Sequence, residues 1–132
     1  MAKTILVVDD NELFRKSLSL LLETNGYEVL EARDGEEALE IYSAYQPPLV
    51  ITDIHMPHLN GVTLAKQIKA INERTKVIIV SGLPNTKAFF EIAEMFGARR
   101  CFEKPVDLNA LCTAIAEEFP RGRPTTIGER PE

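Results

Sequence analysis

Ile5-Leu6-Val7-Val8-Asp9-Asp10 is the stretch on which the reading of this chain turns, with Leu49-Val50-Ile51-Thr52-Asp53 as its counterpart. Each is a continuous apolar run, rich in Val and Ile, that stops abruptly at acid. Such a run reads as a strand buried on both faces of a parallel sheet. Two of these strands side by side bring three carboxylates to one sheet edge. Two carboxylates about 4 Å apart repel by roughly 4 kcal/mol at an effective dielectric near 20. A third adds to the cost. A hard divalent cation such as Mg2+ is the usual partner of an all-oxygen cluster.

Outward from these runs, strands and helices alternate five times. Thr4 to Val8 is the first strand. A helix follows from Asn11 to Asn25, with Phe14, Leu18, Leu21 and Leu22 on one face. Gly26 suits a left-handed C-terminal cap. Tyr27 to Ala32 is a shorter, more polar strand that belongs at a sheet edge. Asp34 is an N-cap, and Glu37 can reach back as in a capping box. The helix Gly35 to Tyr45 buries Ala38, Leu39 and Tyr42, and Pro47-Pro48 stops it. Leu49 to Asp53 is the third strand. Asn60 caps a helix presenting Leu64, Ala65, Ile68 and Ile71. Lys76 to Ser81 is the fourth strand, followed by a helix from Thr86 to Phe96 that Gly97 ends. Arg99 to Glu103 is the fifth strand. Asp107 caps the last helix, which buries Leu108, Leu111, Cys112, Ile115 and Phe119.

This order predicts a doubly wound α/β sheet with right-handed crossovers and helices on both faces. In such sheets the site lies at the carboxyl ends of the strands. Asp9 and Asp10 follow strand one, Asp53 ends strand three, Ser81 ends strand four and Lys104 follows strand five. All five therefore converge.

A chain of 132 residues suits one domain. Residues 1–119 form it, and 120–132 read as a flexible tail or the start of a linker, because that segment has no periodicity. The net charge of −5 leaves no basic footprint for nucleic acid. Arg121, Arg123 and Arg130 in the tail lack any aromatic or helical motif to support one. Cys101 and Cys112 have no metal-site spacing and read as reduced core thiols. No segment is long and apolar enough for a membrane span, and the first apolar run meets Asp9 too soon for a signal peptide. The expected location is the cytoplasm.

A carboxylate beside a cation-binding pair is an oxygen nucleophile towards phosphorus. A cation and a Lys can neutralise the phosphoryl oxygens, and a small hydroxyl can donate to them. The set supports phosphoryl transfer, which needs mainly positioning and charge stabilisation.

The motifs Leu6-Val7-Val8-Asp9-Asp10, Asp53-x-x-Met56-Pro57-x-x-Asn60-Gly61, Val80-Ser81-Gly82 and Lys104-Pro105 resemble those of the receiver domain of two-component response regulators. The resemblance runs from about Thr4 to Phe119. It implies a flavodoxin-like sheet of five parallel strands in the order 2-1-3-4-5. It implies Asp53 as phosphoacceptor, with Ser81 and Lys104 contacting the phosphoryl oxygens. Asp10 and Asp53 would ligate Mg2+ by side chain, Asp9 largely through water, and His55 through its backbone carbonyl. A cis Lys104-Pro105 bond would aim the Lys inward. The donor would be a phosphohistidine on a sensor histidine kinase or a histidine phosphotransfer protein. Phosphorylation would repack the face made by the fourth helix, fifth strand and fifth helix, towards a downstream protein or a second copy in a homodimer.

Three positions depart from the family pattern. Its aromatic switch residue lies three before the Lys, where this chain has Cys101, with Phe102 beside it on the opposite strand face. His55 and Leu83 stand where the family tunes phosphoryl lifetime. An apolar Leu83 cannot orient an attacking water, which predicts a long-lived phosphoryl group.

On the fourth helix, Phe89, Ile92, Ala93 and Phe96 make a coherent buried stripe. Phe90 and Met95 are left outside and, with Cys101, mark the expected partner surface. His55 and His58 share a loop, but that spacing is too unspecific for a transition-metal site. Asp9 and Asp10 would also serve as helix caps, Ser81 could cap the next loop, and Lys104 alone could be a solvated lysine. Only their convergence argues for chemistry. An enzyme, such as a phosphatase with a transient Asp53 intermediate, would need a second acid and a substrate pocket. A flavin carrier would need a Ser/Thr/Gly-rich loop where Asp9-Asp10-Asn11-Glu12 stands. The expectation is a switch that is not an enzyme, with a phosphorylation-independent interaction module as the alternative.

Overall fold

The computed structural model describes residues 3–82 and 86–119; for 86, 87 and 89 only the backbone is described. The order is β1 (Thr4–Val8), α1 (Glu12–Thr24), β2 (Glu28–Ala32), α2 (Gly35–Tyr45), β3 (Leu49–Thr52), α3 (Gly61–Ile71), β4 (Lys76–Ser81), α4 (Thr86–Met95), β5 (Ala98–Glu103) and α5 (Leu108–Glu118). The strands form one parallel sheet ordered β2-β1-β3-β4-β5. The doubly wound fold and its strand order stand as expected. The tail from 120 lies outside the described residues.

Strand alternation splits the core in two. Leu6, Val8, Val50, Val77 and Ile79 face α2, α3 and α4. Ile5, Val7, Leu49, Ile51, Ile78 and Val80 face α1 and α5. Because both faces are covered, the strands read as continuous apolar runs rather than alternating ones. The register pairs Val7 with Ile51 and Val8 with Thr52. One step further sets Asp9 beside Asp53. Both share the parity of the α1/α5 face, as does Lys104 after Phe102.

The caps follow the sequence with two refinements. Asp34, Asn60 and Asp107 accept from the first turns of α2, α3 and α5. Glu37, however, takes the amide of Arg33 rather than that of Asp34. Asn11, not either aspartate, is the N-cap of α1, accepting from Phe14. Gly26 and Gly97 sit at positive φ after their helices. Leu108 and Ile71, expected in the core, are exposed; they are the first residue of α5 and the last of α3.

The rotation of α4 differs from the expectation. Ala93 is fully buried, and Phe90 packs half-buried against the core. Ile92 and Phe96 are exposed, and Lys66 lies over the Phe96 ring. Apolar residues nearly circle this helix, so periodicity alone does not fix its inward face. The small Ala93 lets the helix approach the sheet and brings Phe90, one turn earlier, inward with it. Phe90 is therefore core-packed, not an exposed contact, whereas Met95 is 80% exposed. The side chain of Phe89 lies outside the described part.

At the opposite end from the acidic residues, Glu118 is buried and receives Arg99 at 3.0 Å and Arg100 at 3.4 Å, with Lys76 at 3.8 Å. Lys76 also donates to the Glu118 carbonyl. This clamps the end of α5 to the starts of β4 and β5. Glu118→Gln should lower the unfolding free energy by about 1.5 kcal/mol in urea titrations. The loss stays modest because all three cations are partly exposed and can rehydrate.

Candidate functional site

Asp9, Asp10 and Asp53 present carboxylate oxygens that all lie within 4.8 Å of one another. β1 delivers the first pair and β3 the third. The Asp53 amide bonds the Val8 carbonyl, and the Asp9 amide bonds the Ala32 carbonyl, so the sheet ladders hold both residues just past the strand ends. Asp9 and Asp53 are buried and Asp10 is exposed.

Lys104 Nζ donates to Asp9 Oδ2 at 2.8 Å and to Asp53 Oδ2 at 3.3 Å. It also sits 4.4 Å above the Phe14 ring, a cation–π contact. The Lys104-Pro105 bond is cis, as expected. The Lys104 amide bonds the Ser81 carbonyl at 2.9 Å. Gly82 leaves room for the stem, since a Cβ there would stand 2.9 Å from Lys104 Cβ.

The electrostatics follow from burial and pairing. Burial pushes the Asp9 carboxyl above its ordinary range, against the Lys104 bond and the Asn11 amide. For Lys104 burial works to lower the pKa, but Asp9 and Asp53 outweigh it and hold the ammonium above its ordinary value. Three carboxylates face one lysine. The donor set is all oxygen, which fits a hard divalent cation and not a soft one.

Asp53 Oδ1 accepts the amide of Ile54 at 2.6 Å and that of His55 at 3.4 Å. Asp53 Oδ2 is left facing Lys104. The cleft above, about 280 Å3, is lined by Asp10, Asn11, Asp53, His55, Gly82 and Lys104. Ser81 ends β4 beside it but does not line it. Its Oγ is buried with no hydrogen-bond partner among the described residues. A buried hydroxyl without a partner costs about 1–3 kcal/mol, so it is a donor in want of an acceptor. Leu83 lies outside the described residues.

His58, at φ +74, brings Nδ1 to 3.4 Å from Asp34 Oδ2. The Asp34 carboxyl lies below its ordinary range, chiefly through the Glu37 amide, with His58 adding to it. This ties the loop after β3 to the start of α2. Neither His55 nor His58 belongs to a three-ligand cluster among the described residues.

Cys101 packs on the α4 side of β5 and Phe102 on the α1/α5 side, as alternation requires. Cys101 is half-buried, with Sγ 3.9 Å from the Phe90 carbonyl. Burial, aided by Glu94, pushes its thiol up to about 12. Alkylation of Cys101 at mildly alkaline pH should be on the order of a hundredfold slower in native than in unfolded protein. Equal rates, read by peptide mass spectrometry, would contradict this placement.

Sequence reasoning found the acids and Lys104 from their places after apolar runs. It missed Phe14, read only as a core residue, and Arg15, whose Nη1 donates to the Asp9 carbonyl at 2.8 Å. It also missed why residue 61 is glycine. A Cβ there would lie 2.0 Å from the Asp53 carbonyl oxygen. A glycine inside a helix start, where its propensity is poor, is the signal that could have found it.

Three comparisons place this geometry among known proteins. The family model described as the response regulator receiver domain matches residues 5–116. The chemotaxis protein CheY of Bacillus subtilis is 34% identical over 116 residues, covering 87% of this chain and 96% of that protein. The autoinducer 1 sensor kinase/phosphatase LuxN of Vibrio campbellii is 33% identical over 108 residues, 82% of this chain but 12% of that protein. The CheX-CheY-BeF3-Mg+2 complex from Borrelia burgdorferi superimposes with a TM-score of 0.82 at 26% identity, over 89% of this chain and 90% of that one.

Proposed function

The chain belongs to the response regulator receiver family, and from that premise we propose that it accepts a phosphoryl group on Asp53 in a Mg2+-dependent reaction and so acts as a signalling switch. One observation carries the proposal: three carboxylates converge within 4.8 Å, with Lys104 bonded to two of them. Asp10 and Asp53 would hold Mg2+ by side chain, Asp9 through water, and His55 by its carbonyl. When bound, Mg2+ offsets the carboxylate charge and withdraws electrons from the phosphoryl oxygens.

The chain's own residues supply the rest. The main chain holds Asp53 Oδ1, leaving Oδ2, whose partner is Lys104, as the oxygen that meets phosphorus. Oδ2 attacks the phosphorus of a partner's phosphohistidine. The P–N bond breaks, and the imidazole leaves with the electron pair and takes a proton from solvent. Lys104 shifts from the carboxylates to the new phosphoryl oxygens. The Ser81 hydroxyl, without a partner among the described residues, turns to donate to them. Hydrolysis reverses the state: a water oxygen attacks the phosphorus, the bond to Asp53 Oδ2 breaks, and phosphate leaves. Leu83 offers no polar group to guide that water, so the loss is slow. On this reading the chain is a switch and not an enzyme, its chemistry ending with that hydrolysis.

The donor is a sensor histidine kinase or a histidine phosphotransfer protein. The response passes through α4, β5 and α5 to a downstream protein or a second copy. Of the three residues expected on that surface, Cys101, in place of the aromatic switch residue, is half-buried and Phe90 is core-packed, so Met95 is the exposed one.

Thermal melts with Mg2+ and beryllofluoride, a phosphoryl analogue, test this reading. The midpoint should rise with Mg2+ and rise again with beryllofluoride, the second step only when Mg2+ is present. No response to either would overturn the proposal.

A further inference from the structure

We infer that Arg15 is a positioning residue for the acidic centre, holding the Asp9-Asp10 peptide so that the Asp10 carboxylate is presented to the cation. The inference rests on reading that centre as a cation-dependent phosphoacceptor.

Arg15 follows the first turn of α1, and its side chain is only 11% exposed. An arginine this buried must be paired. Its Nε donates to Glu31 Oε1 at 3.0 Å and its Nη1 to the Asp9 carbonyl at 2.8 Å. Lys16 also reaches Glu31, at 3.3 Å. Glu31 on β2 thus answers the charge of Arg15. The guanidinium makes no hydrogen bond to a carboxylate of the centre. Its action there is on the main chain.

That carbonyl matters because of where β1 stops. The Asp9 amide still belongs to the ladder, bonded to Ala32, but the register with β2 ends at Val8 and Ala32. The Asp9 carbonyl lies beyond it, and Arg15 supplies the donor. The same peptide plane carries Asp10. Asp9 is fixed independently, by Lys104 and by the Asn11 amide on its Oδ1. Asp53 is fixed by Lys104 and two backbone amides. The Asp10 carboxylate makes no hydrogen bond among the described residues. Its direction comes from the backbone alone, which is held on one side by Arg15 at the Asp9 carbonyl and on the other by the Asp9 carboxylate at the Asn11 amide. Glu31 in turn fixes Arg15, as outer partners orient metal ligands elsewhere.

The test is Mg2+ titration by calorimetry on wild type, Arg15→Met, Arg15→Lys and Glu31→Gln, each also melted in chelator. Arg15→Met should weaken Mg2+ roughly tenfold, with Glu31→Gln weaker in the same direction and Arg15→Lys partly restoring affinity. Phosphorylation by a small acyl phosphate should need more Mg2+ but reach the same maximal rate. In an Asp10→Ala background, Arg15→Met should no longer change Mg2+ affinity, since it acts through Asp10. A role in stability alone would lower the melting point in chelator and leave Mg2+ affinity unchanged; that result would overturn the inference. If Arg15→Met does not fold, Glu31→Gln decides by the same criterion. A wild type without Mg2+ affinity would instead sink the underlying reading, and the inference with it.

Discussion

Asp53→Asn should acquire no phosphoryl group from any donor, yet in chelator it should melt at a higher temperature than the wild type. The first half follows from chemistry. A carboxamide oxygen is too weak a nucleophile towards phosphorus, and Asp9, bonded to both Lys104 and Asn11, is not placed to substitute. The second half follows from charge. Without a cation, Asp53 faces two like charges and one opposite charge within the cluster. Removing its charge relieves two repulsions and forfeits one attraction. At an effective dielectric near 20 the terms are of similar size, and solvent and salt screen the one from the exposed Asp10, so the balance favours Asn by only about 1 kcal/mol. The amide oxygen can still accept from Ile54 and His55, so the loop keeps its anchor. Asp53→Asn should also gain less thermal stability from Mg2+ than the wild type does. A variant that melts lower in chelator would mean that the Lys104 contact outweighs the repulsion.

Gly61→Ala should cost the most stability of any single methyl added to this protein's site region. The new Cβ would stand 2.0 Å from the Asp53 carbonyl oxygen, 2.9 Å from its carbon and 3.0 Å from Ile54 Cα. All three are backbone atoms, and a side-chain rotation cannot relieve the clash. The Gly61 amide also bonds the Ile54 carbonyl at 2.8 Å, so α3 cannot retreat without breaking that bond. Overpacking of this kind costs about 3 kcal/mol, a drop in melting temperature on the order of 10 °C. Because the atoms that must move belong to the acceptor segment, phosphorylation should slow as well. A Gly61→Ala protein that melts within a degree or two of wild type would show that the segment yields freely.

Much of this was legible in the chain. The strands announced themselves because both sheet faces are covered, which makes Ile5 to Val8 and Val77 to Val80 continuous in apolar character. The acids and Lys104 were legible because parallel strands deliver the residues after them to one sheet edge. α4 was not legible. Its apolar residues surround the helix, and packing of Ala93 rather than the largest hydrophobes decided its rotation. Arg15 was hidden for another reason. Its partner is a backbone carbonyl, and main-chain acceptors leave no mark in a sequence. Glu118 was hidden because its three cations come from β4 and β5, far from it along the chain.

The most direct test of the central claim is intact-protein mass spectrometry of the wild type, incubated with a small acyl-phosphate donor in Mg2+ or in chelator, with the modified residue then located in peptides. The account predicts the mass of one added phosphoryl group in Mg2+, none in chelator, and its location on Asp53. No adduct in Mg2+, or an adduct on another residue, would contradict it.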